Sequence, residues 1–210
     1  METKLYVFDE INGLDDAFIS ECTPYLSLER QEKAFSYTFP LDRNASIIAY
    51  LLLRLALMEN YGINENVAFN YDKNGKPALR DYPHIHFNLS HCRTAAACAL
   101  ADREVGVDVE DIAPVPDEVA RRVLTPKEYA KYSASIKTKT NPEELFCRYW
   151  TIKESWLKKT GSGIGTDLSI LEAEDIGEKT IFKKADNYCC CVTGALVAVK
   201  YVNIDGIKNL

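Results

Sequence analysis

Residues 45–58, ASIIAYLLLRLALM, are apolar on every side of a helix, and this constrains the fold more than any other feature of the chain. A helix with no polar face must be enclosed by other elements. The run is too short to span a bilayer and carries Arg54 near its middle, so protein rather than lipid has to enclose it. Asp42 ahead of it reads as a cap and Gly62 behind it as a glycine stop. The 210 residues suffice for one sizeable domain, or two small ones sharing a core.

The flanking pattern supplies what encloses the helix. Residues 4–8, 67–71, 84–89, 95–100 and 105–109 read as strands, the last two as a hairpin turning at 101–104. Asn74-Gly75 and Pro77 mark an exposed tight turn at 72–77, and residues 27–37 have helical spacing. Past Pro114 and Pro116, helices start at Asp117 and at Thr125-Pro126, and a third runs over 143–159. After the glycine-rich 161–165 come strands at 169–173, 180–182, 188–193 and 196–202. Each half therefore offers strands around one long helix. The expected class is α+β: two similar α/β lobes, residues 1–104 and 105–210, each a small antiparallel sheet on a long helix.

Charge and cysteines bound the setting. The first ten residues carry three acids and no basic start before an apolar run, which predicts a cytoplasmic protein without a secretory signal. Seven cysteines, with no C-x-x-C pair and four of them inside apolar strands, read as reduced core residues. A net charge of −6 argues against wholesale nucleic-acid binding, and no membrane segment is expected.

Three short patterns carry chemistry. In Gly106-Val107-Asp108-Val109-Glu110 the period of a strand puts both carboxylates on one face and both valines on the other. Neighbouring carboxylates repel unless a cation or a proton sits between them, so that face suits a hard divalent ion, although a solvated acidic face would look the same. In WTIKESWLK, residues 150–158, Glu154 and Lys158 share one face of a helix whose other residues are heavily apolar. Either they form a surface ion pair or they sit in a protected cleft. In Asn88-Leu89-Ser90-His91, the hydroxyl and imidazole are sequence neighbours and cannot easily act as nucleophile and base; they suit a phosphate clamp or a polar turn. His84 and His86 share a strand face but have no third ligand at metal-site spacing.

Taken in order and spacing, N-L-S-H, G-V-D-V-E and W-T-I-K-E-S-W-L-K resemble the signature set of the surfactin-type 4′-phosphopantetheinyl transferases. The likeness extends to LSLERQEKAFSYTFPLDRNASIIAYLLLR and to NGKPAL, so it covers essentially the whole chain. It implies two α/β lobes related by a pseudo-twofold axis, with coenzyme A in the cleft between them. It implies transfer of 4′-phosphopantetheine from coenzyme A to a serine of an apo acyl or peptidyl carrier protein, releasing adenosine 3′,5′-bisphosphate.

By the same matching Asp108, Glu110 and Glu154 would hold Mg2+, and Lys158 would meet the pyrophosphate. Ser90 and His91 would sit near the nucleotide phosphates, and Arg30 and Lys33 on the 3′-phosphate. Gly75, Lys76 and Pro77 would line the adenine pocket. The family's arginine–threonine pair on the long helix is replaced here by Ala45 and Ser46, with Arg43 as a possible substitute contact beside Ser46. Glu154 is the first candidate base and Glu128 the second.

The partners implied are coenzyme A and a carrier protein, and the protein itself is expected to be a monomer. The carboxylates and lysine would also suit a Mg2+-dependent nucleotide pyrophosphatase, or a non-catalytic coenzyme A or carrier-binding module with a structural acidic cluster. Between residues 121 and 139 stand Arg121, Arg122, Lys127, Lys131, Lys137 and Lys139 against Glu128 alone, a stretch expected to offer a basic rim to an acidic carrier.

Overall fold

The computed structural model describes residues 3–163, 165–184 and 187–210; Ile164, within the glycine-rich segment, and the first two residues lie outside them. The chain opens with β1 (Thr3–Phe8), α1 (Asp16–Cys22), α2 (Leu28–Phe35) and the long α3 (Pro40–Tyr61). β2 (Phe69–Tyr71) and β3 (Pro77–Leu79) form a small hairpin ahead of β4 (His86–His91), β5 (Ala96–Ala101) and β6 (Gly106–Asp111). Then come α4 (Asp117–Val123), α5 (Pro126–Thr138) and α6 (Pro142–Thr160). β7 (Lys179–Lys184), β8 (Tyr188–Thr193), β9 (Leu196–Tyr201) and α7 (Ile204–Lys208) complete the α+β fold.

The apolar helix is enclosed as its sequence demands: every residue of α3 from Asn44 to Leu57 is buried. Its stop is Gly62, in the left-handed region at φ 70°, where the amide bonds back to the Met58 carbonyl at 3.0 Å. Its start differs from expectation. Pro40 takes the first helical position after Phe39, because a proline there forfeits only an amide that has no helical partner, and Asp42 falls inside the first turn.

Besides the β2-β3 hairpin, two larger sheets form among the described residues, in strand orders β4-β5-β1-β9 and β6-β8-β7. On one face of β5, Ala96, Cys98 and Leu100 join the core around α3. On the other, Ala97, Ala99 and Ala101 meet Val107, Val109, Cys190 and Val192 of the second sheet. The alanines leave room for the sheets to stack. The layers thus run α3, first sheet, second sheet, α6.

Three expectations fail here. β5 and β6 are not a hairpin, because the chain leaves one sheet for the other between them: β5 pairs with β1 and β4, and β6 with β8. Residues 169–173 are not a strand. A short 3-10 turn over Leu168–Ile170, capped by Asp167, replaces it, and the Ala173 amide goes to Glu128 Oε1 at 2.8 Å instead of to a sheet. Last, β9 returns to the first sheet and pairs in parallel with β1.

Helix α6 lies unusually close to the second sheet. A Cβ on Gly106 would stand 1.9 Å from the Ser155 carbonyl oxygen, which no side chain tolerates. The surrounding residues are correspondingly small, with Ser155 Oγ 2.6 Å from Thr193 Oγ1 and 3.4 Å from Cys191 Sγ. This accounts for the cysteines of β8: they are compact fillers, and none of the seven cysteines is in a disulfide.

Candidate active site

The close approach of α6 to β6 brings the second and first sequence patterns together. Asp108 on β6 is buried, its side chain 3% exposed, and Lys158 Nζ on α6 lies 2.5 Å from its Oδ1. Ser90 on β4 closes the triangle, with its Oγ 3.0 Å from Asp108 Oδ1 and accepting from Lys158 Nζ at 2.9 Å. The other oxygen, Asp108 Oδ2, is buried and meets no donor.

Val107 and Val109 point into the shared core as their alternation predicts, and Glu110 shares the face of Asp108. Trp150 Nε1 donates to Glu110 Oε1 at 3.3 Å. Burial, reinforced by Asp108, pushes the Glu110 carboxyl up to about 7. Burial and then Asp108 also raise Glu154, while Lys158 opposes them. Both glutamates therefore feel Asp108, Glu110 along the strand and Glu154 across the gap between strand and helix.

These are oxygen donors of the kind a hard divalent cation takes, and the buried, donorless Oδ2 of Asp108 is an atom such an ion would satisfy. The cage is not preassembled: among the described residues no three His, Cys, Asp or Glu stand close enough to grip one ion. Glu110 is turned to Trp150, and Asp108 to Lys158.

A positive region adjoins the acids. Arg30 on α2 is 6% exposed, donates from Nη2 to the carbonyl and hydroxyl of Ser46 at 3.2 and 3.3 Å, and lies 5.3 Å from the Tyr50 ring centre. Its Nε meets no acceptor. Burial lowers its guanidinium, and Lys33, on the rim of α2, is lowered by desolvation and then by Arg30. His91 is held down to about 4 by burial, then by Lys158 and Arg30, with Tyr37 Oη 3.5 Å from its Nε2. Arg30 thus depresses both Lys33 and His91, and an anion placed among them would be favoured.

A cavity of about 310 Å³ lies beside the acids, lined by Gly75, Lys76, Pro77 and Asn88 of the first half and by Glu154 and Lys158 of α6. A second, of about 670 Å³, lies on the other side of Glu154 against Arg122, Trp150 and Leu168. A third and larger cavity, about 810 Å³, lies around Arg148 and Tyr149, and none of the three carboxylates lines it.

Other expected residues are placed differently. Ser46 is buried beneath Arg30 and holds it. Arg43 is engaged by Asp16 at 2.9 Å. Lys76 lines the cavity with its stem but gives its ammonium to Glu104 and to the Lys159 carbonyl. Glu128, 1% exposed, is the capping-box acid of α5: it accepts from Lys153 Nζ at 2.5 Å and from the Thr125 and Ala173 amides. Lys127 and Lys131 both pair with Glu174, and Arg121 with Asp117, so the basic stretch is partly neutralised. Two residues that the sequence reading left without a role emerge: Trp150 on Glu110, and Asn88, whose Oδ1 accepts from the Val107 amide at 2.8 Å. Asn88 stood in the N-L-S-H pattern; its geometry needed β6 beside β4.

The chain matches known families over both halves. Residues 104–199 match the profile of the 4′-phosphopantetheinyl transferase superfamily, and residues 16–102 that of the 4′-phosphopantetheinyl transferase N-terminal region. It is 31% identical over 177 residues to 4′-phosphopantetheinyl transferase psf-1 of Bacillus pumilus, covering 83% of this chain and 75% of that protein. It is 29% identical to 4′-phosphopantetheinyl transferase Sfp of Bacillus subtilis strain 168, over 69% of this chain and 64% of that one. It is 35% identical to 4′-phosphopantetheinyl transferase HetI of Nostoc, over 66% and 61%. The chain thus spans slightly less than two thirds of the latter two relatives.

Proposed function

The chain belongs to the 4′-phosphopantetheinyl transferases, and on that premise we propose that it moves 4′-phosphopantetheine from coenzyme A to a serine of an apo acyl or peptidyl carrier protein. One observation carries the reading: buried Asp108, with a bare Oδ2, faces Glu154 and Lys158 between two cavities, beside a cationic cluster.

In this reading the carrier hydroxyl attacks the β-phosphorus of coenzyme A, the bond to the bridging oxygen breaks, and adenosine 3′,5′-bisphosphate leaves. Arg30, held by Ser46, and Lys33 take the 3′-phosphate. His91 lies near the nucleotide phosphates, and Gly75, Lys76 and Pro77 flank the base. Lys158 neutralises charge as it gathers on the leaving oxygen. Asp108, Glu110 and Glu154 would hold Mg2+, which would supply positive charge to stabilise the leaving group. Glu154, raised by its burial, accepts the serine proton. Glu128 is not needed for that step, since Lys153 and two amides already occupy it. The pseudo-twofold relation of the lobes belongs to the same reading, supported by one long helix on the outer face of each sheet.

Intact-mass measurement on a panel of apo carrier proteins, incubated with the protein, coenzyme A and Mg2+, tests this. Each modified carrier should gain the mass of one phosphopantetheine, and no gain should appear when Asp108→Ala or Glu154→Ala is used. Release of nucleotide from coenzyme A without any carrier would favour the pyrophosphatase reading instead.

A further inference from the structure

Lys158 sits where the acidic site most needs a cation. Asp108 is buried, yet only one of its oxygens is satisfied, and the ammonium 2.5 Å away supplies the nearest countercharge. Ser90 fixes that ammonium from the opposite half of the molecule. Lys158 is itself partly exposed, 29% at its side chain, and lines the cavity proposed for coenzyme A. Its ammonium therefore has somewhere else to go when a diphosphate arrives.

From this geometry we infer that Lys158 is a placeholder for the divalent cation: it neutralises Asp108 until coenzyme A draws it away, so that metal and coenzyme A bind cooperatively. The inference rests on the proposed metal role of Asp108. The physical argument is one of mutual exclusion of charge. A divalent ion reaching Asp108 Oδ2 would approach an ammonium already bound to the same carboxylate, and repulsion in a poorly solvated site is strong. Once the lysine pairs with phosphate, the carboxylate regains its full charge and the ion meets an additional anionic ligand. Binding linkage then requires the converse, that the ion tighten coenzyme A by the same factor.

The test is calorimetric titration of Mn2+ into the protein, with and without coenzyme A, for wild type, Lys158→Met, Lys158→Gln and Asp108→Asn. The glutamine keeps a donor for Asp108 Oδ1 and covers the case in which the methionine variant fails to fold. Without coenzyme A, the lysine variants should bind Mn2+ about tenfold tighter than wild type, the scale set by removing a like charge at close range. Adding coenzyme A should tighten Mn2+ binding to wild type and do so much less in the variants. Equal or weaker Mn2+ binding by both lysine variants, while Asp108→Asn still loses the ion, overturns the placeholder and leaves the metal site standing. Unchanged Mn2+ binding in Asp108→Asn removes the metal site, and the placeholder with it.

Discussion

At the scale of single residues, the site is a set of buried charged groups that, in the proposed reading, a ligand completes. Arg30 is the plainest case: a buried guanidinium on a serine and a tyrosine ring, with Nε bare. His91 gives the measurable consequence. Burial and then the cations Lys158 and Arg30 hold it at about 4, against 6.5 in an unfolded chain. Between those two values the unfolded chain takes up a proton that the folded one refuses. Stability should therefore fall as pH drops from 6.5 towards about 4, and level off below. Urea unfolding at stepped pH should show that slope in wild type and a shallower one in His91→Phe. Coenzyme A, by bringing phosphate to the ring, should move the His91 titration upward in an NMR pH series. A free-protein titration near 6.5 would contradict the structure.

At the scale of elements, the decisive contacts are those that lock α5 and α6 together, because α6 carries Glu154 and Lys158. Lys153 points away from the cleft and spends all three donors, on Glu128 and on the carbonyls of Val123 and Leu168. Breaking such a pair from one side leaves a buried charge, so Glu128→Gln should cost about 3–5 kcal/mol of folding free energy. Adding Lys153→Met should recover most of that loss in denaturant titrations. The folded double variant should retain transfer activity within a few-fold; a folded but inactive double variant would return Glu128 to the chemistry. This division between neighbours was only half legible beforehand. The pattern W-T-I-K-E-S-W-L-K showed that Glu154 and Lys158 share a face, and Thr125-Pro126 with Glu128 announced a helix start. That the capping acid of one helix is the countercharge of another is a tertiary fact that no local periodicity encodes. The same limit explains the lost strand at 169–173, where Leu171 and Ala173 join the apolar cluster around α6 without a ladder and Ile170 stays exposed. It also explains β9, where strand character was readable but the partner was not.

At the scale of the whole molecule, the site exists only because two sheets share one core. Arg30 and Lys33 stand on α2, braced by Ser46 of α3 and beside His91 of β4, while the carboxylates stand on β6 and α6, so their spacing depends on the seam between the layers. Two features set that seam. The alanines of β5 let the sheets approach, and the side chains of Asn88 and Ser90 accept from the Val107 and Val109 amides along the edge of β6 that faces away from β8. Those two amides flank Asp108, so the first half of the chain fixes the height of the acidic strand in the second. Asn88→Ala should leave the Val107 amide buried without its acceptor and cost about 1–3 kcal/mol. Hydrogen exchange should then quicken at Val107 ahead of the core of α3. Adenosine 3′,5′-bisphosphate, which in the proposed reading is held mainly by the first half, should bind with near wild-type affinity. Coenzyme A turnover, which needs both halves in register, should drop at least several-fold in kcat. If the variant is folded and both kcat and the Val107 exchange rate match wild type, then the sheets hold their spacing through the alanine core alone, and the Asn88 bond is incidental.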